Sequence, residues 1–242
     1  MARELLVVVP VFNEEECIDV VLREWIGELN RLGIDYGLLL LDDGSTDRTP
    51  AIIAQWLEGR ANSRLEVVRQ TNRGHGQTCL EGYRVACDRK IPWVLQIDSD
   101  GQCGAAYFPA VWAKRNEHDV VYGCRAERRD GWKRVLASAL VKIVVKVSSG
   151  VDCIDANVPY RLMRTQNLRP LVNSIPSDFD LANIALSVQL KRAGWRECSV
   201  NIVFRPRAGG ESSVPLVRFA GKALELFGQL LLLPRPVLRD AA

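Results

Sequence analysis

Four short, mainly apolar runs, Leu5–Val9, Tyr36–Leu41, Leu65–Val68 and Trp93–Ile97, constrain this chain most, because stretches of helical periodicity separate them. Strands buried on both faces read as continuous apolar runs, and regular strand–helix alternation implies a parallel sheet covered by helices. Ile18, Val21, Leu22, Trp25, Leu29 and Leu32 fall at helical offsets, with Asn13 expected as N-cap, Glu14 and Glu15 in the first turn and Gly33 as the stop. Thr49-Pro50 opens a second helix with Ile52, Ile53, Trp56 and Leu57 facing inward, and a third follows the loop Asn72–Thr78 and ends near Asp88. The expectation is an α/β fold with a mostly parallel central sheet and helices on both faces. At 242 residues the chain is long enough for one large domain or a domain with a small appendage.

Carboxylates stand where these strands end. The run Val94-Leu95-Gln96-Ile97 stops at Asp98-Ser99-Asp100-Gly101-Gln102, and Tyr36–Leu41 stops at Asp42-Asp43-Gly44-Ser45-Thr46-Asp47. Ligands of open α/β sheets bind beyond the carboxyl ends of the strands, which puts these acids at the mouth of a cleft. Asp98 and Asp100, one residue apart, suit a divalent cation held by one or two carboxylates plus substrate phosphate oxygens. The plainer reading is a turn, for which Asp, Ser and Gly are ordinary residues. A dinucleotide fingerprint is disfavoured, because the first strand–helix turn, Pro10–Glu14, has no glycine and Gly74-x-Gly76 stands alone.

A net charge of only +3 argues for neither nucleic acid nor an acidic partner, and no nucleic-acid partner is expected. The 7 cysteines, odd in number and without CxxC spacing, indicate neither a zinc site nor a disulfide framework, and fit a reducing cytosol. Met1-Ala2-Arg3-Glu4 leads straight into a strand-like run without the pattern of a cleaved signal peptide. No apolar stretch reaches the ~20 residues that span a bilayer.

Val9-Pro10-Val11-Phe12-Asn13-Glu14, Leu41-Asp42-Asp43-Gly44-Ser45-Thr46-Asp47, Asn72-x-Gly74-x-Gly76 and Asp98-Ser99-Asp100-Gly101-Gln102 occur in an order and spacing that resemble family 2 glycosyltransferases of the GT-A fold. More narrowly they resemble the dolichol-phosphate mannosyltransferase and polyprenyl-phosphate glycosyltransferase branch. The likeness covers nearly the whole chain and is strongest over its first hundred residues or so. It implies a nucleotide-diphosphate-sugar donor, GDP-mannose or a UDP-sugar, held by residues 1–102, and an acceptor half over 103–214. By the resemblance, Pro10, Phe12 and Glu14 line the nucleoside pocket, with Glu14 on a ribose hydroxyl, and Asp42 or Asp43 holds the base. Gly74, Gly76 and Ser99 complete the donor loops, and Asp98 and Asp100 hold Mg²⁺ or Mn²⁺. His75 stands where the family often carries a lysine and is read as a surface histidine.

In the second half, a fifth strand, Asp119–Gly123, precedes Arg125-Ala126-Glu127-Arg128-Arg129. Such a run is ordinarily a solvated loop, but arginine forks suit phosphate oxygens, and in the resembling branch this region meets a lipid phosphate. Arg125, Arg128 and Arg129 are therefore the acceptor-phosphate candidates. Residues Trp132 to about Ser149 form a helix with Arg134, Ser138, Lys142 and Lys146 on one stripe of an otherwise apolar surface. It reads equally as an interfacial membrane helix and as a core or dimer helix. Asp155-Ala156-Asn157-Val158-Pro159-Tyr160-Arg161 resembles the branch's Asp-x-x-x-x-(Phe/Tyr)-Arg signature, with Pro159 and Val158 replacing its usual small residues, and Asp155 is the preferred acceptor-side acid. Asp178 and Asp180 read as helix caps or as a general base. A strand over Val200–Phe204 leads to Arg205-Pro206-Arg207-Ala208-Gly209-Gly210, which looks like the family's mobile loop over the diphosphate, with Arg205 or Arg207 reaching a phosphate. Residues 215–242 form a C-terminal helix and tail without a transmembrane span. The Leu230–Leu233 cluster packs on the body, on a partner, or at a bilayer surface.

The function so implied is metal-dependent, inverting sugar transfer to a polyprenyl phosphate, in the cytoplasm or at the cytoplasmic face of a membrane. The catalytic candidates are Asp100, Asp155 and Asp180. Alternatives are a soluble transferase acting on a hydroxyl of a small molecule or glycan, and a nucleotide-sugar-binding module without turnover. A membrane-protein partner and a homodimer are open possibilities.

Overall fold

The computed structural model describes residues 3–58, 64–125, 141–153, 157–179, 181–205 and 219–236. Strands β1 (Leu5–Val11), β2 (Tyr36–Asp42), β3 (Leu65–Arg69), β4 (Trp93–Gln96), β5 (Val120–Arg125), β6 (Arg161–Arg164) and β7 (Glu197–Ile202) make one sheet in the order β3-β2-β1-β4-β6-β5-β7. β1 to β4 are parallel, β7 joins β5 in parallel, and β6 runs antiparallel to both of its neighbours, β4 and β5. The helices are α1 (Ile18–Arg31), α2 (Thr49–Glu58), α3 (His75–Asp88), α4 (Phe108–Ala113), α5 (helical residues 141–149), α6 (Leu168–Asn173), α7 (Ala182–Arg192) and α8 (Phe219–Leu232). Every residue of β1 and β2 is buried, as their unbroken apolar runs require.

The core is continuous across the two halves of the chain. Trp25 of α1 packs with Phe108 of α4 at 5.8 Å between ring centroids and with Tyr160 at 5.6 Å. On another face, α3 lies against β1 at Gly82, where a Cβ would run into both methyls and the Cβ of Val8. Gly82→Ala is therefore expected to destabilise the protein by about 1–3 kcal/mol through overpacking, read as a lower urea midpoint with an unchanged slope. A midpoint equal to that of the parent would mean that α3 can lift off β1 without cost.

Several expectations are corrected. Asn13 does not cap α1, which begins at Ile18 after Cys17 without a side-chain cap. Instead Asn13 takes a left-handed conformation (φ 54°), and its Oδ1 accepts the Thr46 N–H at 2.8 Å. Leu57 faces outward at 43% exposure, because α2 turns only Thr49 and Ile53 fully inward. β6 begins at Arg161, the last residue of the stretch read only as a signature; its flanking arginines hide a four-residue strand. β7 begins three residues before the expected Val200, since an edge strand paired on one side tolerates Glu197, Cys198 and Ser199. Asp178 caps nothing: α7 starts at Ala182, and its N-cap, Leu181, makes no side-chain cap bond. The helix expected over Trp132–Ser149 is seen over 141–149, its first part lying outside the described residues.

The C-terminal leucines divide between two environments. Leu226, Leu230 and Leu233 are buried on the body, whereas Leu231 and Leu232 are exposed. Arg192 donates to Leu233 O at 3.2 Å and to Ser149 O at 3.3 Å, which sets the C-terminal ends of α5 and α8 side by side. All seven cysteines are unbridged. Among the described residues no helix is long and apolar enough to cross a membrane.

Candidate functional site

The carboxyl ends of β1, β2 and β4 meet around a pocket of about 340 Å³ lined by Pro10, Val11, Phe12, Glu14, Asp43, Asn72, Gly74, His75, Thr78, Asp98, Ser99 and Asp100. A larger concavity of about 540 Å³ opens at the opposite rim around Lys90, Arg115 and Arg164, but no carboxylate lines it. Of the two, the smaller one presents the carboxylates Glu14, Asp43, Asp98 and Asp100.

The walls of this pocket are fixed by loops that bond to one another. Behind Glu14, its own N–H donates to Thr49 Oγ1 at 2.8 Å, and the Asn13 N–H donates to Ser45 Oγ at 3.0 Å. These bonds tie the β1–α1 loop to the β2–α2 loop. The two acids at the end of β2 have different tasks. Asp42 is buried; its Oδ1 accepts the Ser45 N–H at 2.8 Å, its Oδ2 lies 3.4 Å from Arg69, and it does not line the pocket. Asp43 lines the pocket and accepts from the N–H groups of Arg73 (2.9 Å) and Gly74 (2.8 Å) and from Gln70 Nε2 (2.8 Å). A carboxylate with three donors holds the Gly74 turn, where φ is 85° and glycine is the residue suited to it. Gly44 is required as well: its φ is 84°, and a Cβ there would stand 3.2 Å from Asn72 N. Gly76 is buried in the first turn of α3, behind the lining.

The acid pair sits past the end of β4. Asp98 Oδ1 is 2.9 Å from His75 Nε2 and accepts from Gln96 Nε2 at 3.4 Å, while Asp98 Oδ2 has no hydrogen-bond partner among the described residues. Asp100 Oδ1 accepts the Gln102 N–H at 3.0 Å. His75 is exposed, as a surface histidine would be, and it also lines the pocket beside Asp98. Its pKa is raised well above the usual imidazole value, first by the adjacent Cys79 sulfur and then, against desolvation, by Asp98. Burial, and next the charges of Asp98 and Asp100, push the Cys103 thiol upward, so that a neutral thiol backs the acids.

Arg125 ends β5 on the same rim, with its guanidinium 4.4 Å from the centroid of Phe204. Arg205, expected to reach a phosphate, is held away: both terminal nitrogens donate to Glu24, at 2.6 and 2.8 Å. Its backbone N–H donates to Gln102 O at 3.0 Å, which ties the end of the described 181–205 segment to the Asp98–Asp100 loop. Asp155, Asp180, Arg128, Arg129 and Arg207 lie outside the described residues. Sequence reasoning missed Gln96, Thr78 and Asn72. Gln96, a polar residue inside an apolar strand, was the available signal.

The family model for glycosyl transferase family 2 matches residues 6–169. The chain belongs to glycosyl transferase family 2. Among curated members of the family, it is 31% identical over 145 residues to the undecaprenyl-phosphate 4-deoxy-4-formamido-L-arabinose transferase of Enterobacter sp. (strain 638), a match covering 60% of this chain and 43% of that protein. With the transferase of the same name from Pseudomonas aeruginosa (strain LESB58) it shares 26% identity over 221 residues, 91% of this chain and 63% of that one. The chain thus spans between 43% and 63% of the length of these two relatives. Its fold is similar to that of glucosyl-3-phosphoglycerate synthase from Mycobacterium tuberculosis in complex with Mn²⁺, uridine diphosphate and phosphoglyceric acid, with TM-score 0.68, 19% identity and coverage of 97% of this chain and 80% of that one. It is similar also to S. aureus TarS 1-349, with TM-score 0.59, 19% identity and coverage of 98% and 67%. The fold is the mostly parallel α/β fold that the alternating runs imply, and of the GT-A type that the motif resemblance implies.

Proposed function

We propose that this chain transfers a sugar from a nucleotide-diphosphate-sugar to the phosphate of a polyprenyl lipid, with inversion at the anomeric carbon. The observation that carries this reading is the pair Asp98 and Asp100 at one wall of a pocket whose other walls are the Pro10–Glu14 and Asp43–Gly74 loops. The acceptor class is supported by the curated relatives, named as undecaprenyl-phosphate sugar transferases.

The donor set fits a hard divalent cation. Among the described residues no group of three or more His, Cys, Asp and Glu could hold a metal ion alone, so the protein side would be Asp98 and Asp100, with donor phosphate oxygens completing the shell. Mg²⁺ or Mn²⁺ bound there would neutralise charge that develops on the departing nucleoside diphosphate. The remaining chemistry belongs to this chain's own groups. Phe12, 46% exposed at the mouth, offers an aromatic face to a base, and Glu14 an acceptor to a ribose hydroxyl. Arg125 would hold the acceptor phosphate. A phosphate monoester, with a second pKa near ~6, is already largely ionised at neutral pH and needs little base catalysis. A hydroxyl acceptor would instead require an acid such as Asp155, Asp178 or Asp180 as base.

Membrane apposition follows from the acceptor. Ile143 (59% exposed) and Val147 (67%) project from α5 beside exposed Lys142 and Lys146, and Leu224, Leu231 and Leu232 project from α8. Apolar residues flanked by lysines suit an anionic bilayer surface. Flotation with anionic liposomes is expected to carry the protein upward and Lys142→Glu with Lys146→Glu to reduce that; a parent protein left in the soluble fraction would remove the membrane part.

The test of the function is a panel of labelled nucleotide sugars incubated with polyprenyl phosphate and Mg²⁺ or Mn²⁺, read by organic extraction. Labelled lipid is the expected outcome, and label found only on a hydroxyl-bearing acceptor would overturn it.

A further inference from the structure

A chain of buried polar groups runs beneath Asp98 from the far half of the molecule. Gln96 in β4 is fully buried, and it stands directly opposite Arg161 in the antiparallel β4–β6 pair, so the two side chains share a face of the sheet. Tyr83 of α3, also fully buried, donates its hydroxyl to Gln96 Oε1, and the same hydroxyl lies 3.4 Å from Asn183 Oδ1 on α7. Asn183 O in turn accepts from Arg161 Nη1 at 3.3 Å and from Ser187 Oγ at 3.0 Å, while Arg161 also donates to Val158 O through Nε at 3.0 Å and Nη2 at 2.8 Å.

The direction of each bond is determined. Burial raises the Tyr83 pKa well above the usual phenol value, so the hydroxyl keeps its proton and donates. Gln96 therefore accepts through Oε1, and its Nε2 is left to face Asp98 Oδ1. Were the amide reversed, the Tyr83 hydroxyl could accept from Nε2 and donate to Asn183 Oδ1, but an amide oxygen would face the Asp98 carboxylate, which is repulsive and decides the orientation. Polar groups buried in this way cost several kcal/mol if unpaired, and a fully paired set specifies one arrangement.

We propose that Tyr83 and Gln96 are positioning residues for Asp98: Tyr83 fixes the Gln96 carboxamide, which with His75 occupies Oδ1 and leaves Oδ2 as the oxygen presented to a cation. This rests on the reading of Asp98 as a cation ligand. Neither residue lines the pocket, so neither touches the donor. Gly82 is integral to the arrangement, because the close approach of α3 to Val8 in β1 brings the next residue, Tyr83, within reach of β4.

The test is calorimetric titration of uridine diphosphate with and without Mn²⁺ on the whole chain. Tyr83→Phe removes one hydroxyl, and Gln96→Met removes the carboxamide while keeping its length. Each is expected to leave metal-free affinity unchanged and to reduce the strengthening given by Mn²⁺ by about 10-fold, as loss of an outer-shell partner does. Tyr160→Phe is the control: it removes a buried hydroxyl that has no hydrogen-bond partner among the described residues, and should leave the Mn²⁺ effect intact. If Tyr83→Phe does not fold, Gln96→Met carries the test alone. A parent protein that responds to Mn²⁺ together with folded variants that respond equally would overturn the positioning role only. A parent indifferent to Mn²⁺ would overturn the cation reading and this inference with it.

Discussion

Asp98→Asn combined with Asp100→Asn is expected to lower sugar transfer by on the order of 10³-fold, the scale on which preorganised charge at a leaving group contributes. The fold should survive. Asparagine keeps an oxygen where Asp98 Oδ1 accepts from Gln96 and where Asp100 Oδ1 accepts the Gln102 N–H, so only charge is removed. Initial rates at saturating donor, with thermal melting on the same samples, check both halves of the statement. Transfer within a few-fold of the parent would dismiss the pair as the centre of the chemistry. A large loss of rate accompanied by a collapse in melting temperature would assign the effect to folding.

Trp25→Ala should cost about 3–5 kcal/mol, the range for truncating a large aromatic in a core. Trp25 is 1% exposed and is clasped between Phe108 and Tyr160, so the cavity would open where α1 meets the second half of the chain. For a protein of this size the loss corresponds to a fall in Tm on the order of 10 °C. Denaturant unfolding should give a lower midpoint, and a cost below ~1 kcal/mol would mean that the surrounding helices close over the gap.

The pocket was legible because its signals are local. A continuous apolar run declares a buried strand, and an acid pair at its end declares what the rim presents; β1, β2 and β4 with Asp43, Asp98 and Asp100 follow from that logic. What was not legible depends on partners distant in sequence. β6 is bounded by Arg161 and Arg164, and nothing in Arg-Leu-Met-Arg announces that the first arginine is buried opposite Gln96. His75 is exposed, as its surface reading has it, but nothing in the sequence announces that the turn held by Asp43 sets it beside Asp98. Asp42 and Asp43 are identical in sequence terms, yet one is spent on its own turn and the other faces the pocket. Short helices such as α4 and α6, six residues each, are too brief to establish a period.

The reversed strand β6 also sets a length. It separates β4 from β5 by two interstrand steps, so the ends that carry Asp98 and Arg125 stand about 10 Å apart across the rim. A strand fewer would crowd the two charges together, and a strand more would strand them beyond each other's reach. In the proposed reaction this is the span between the cation side of the donor and the acceptor phosphate, so the sheet order itself would gauge what can pass between them.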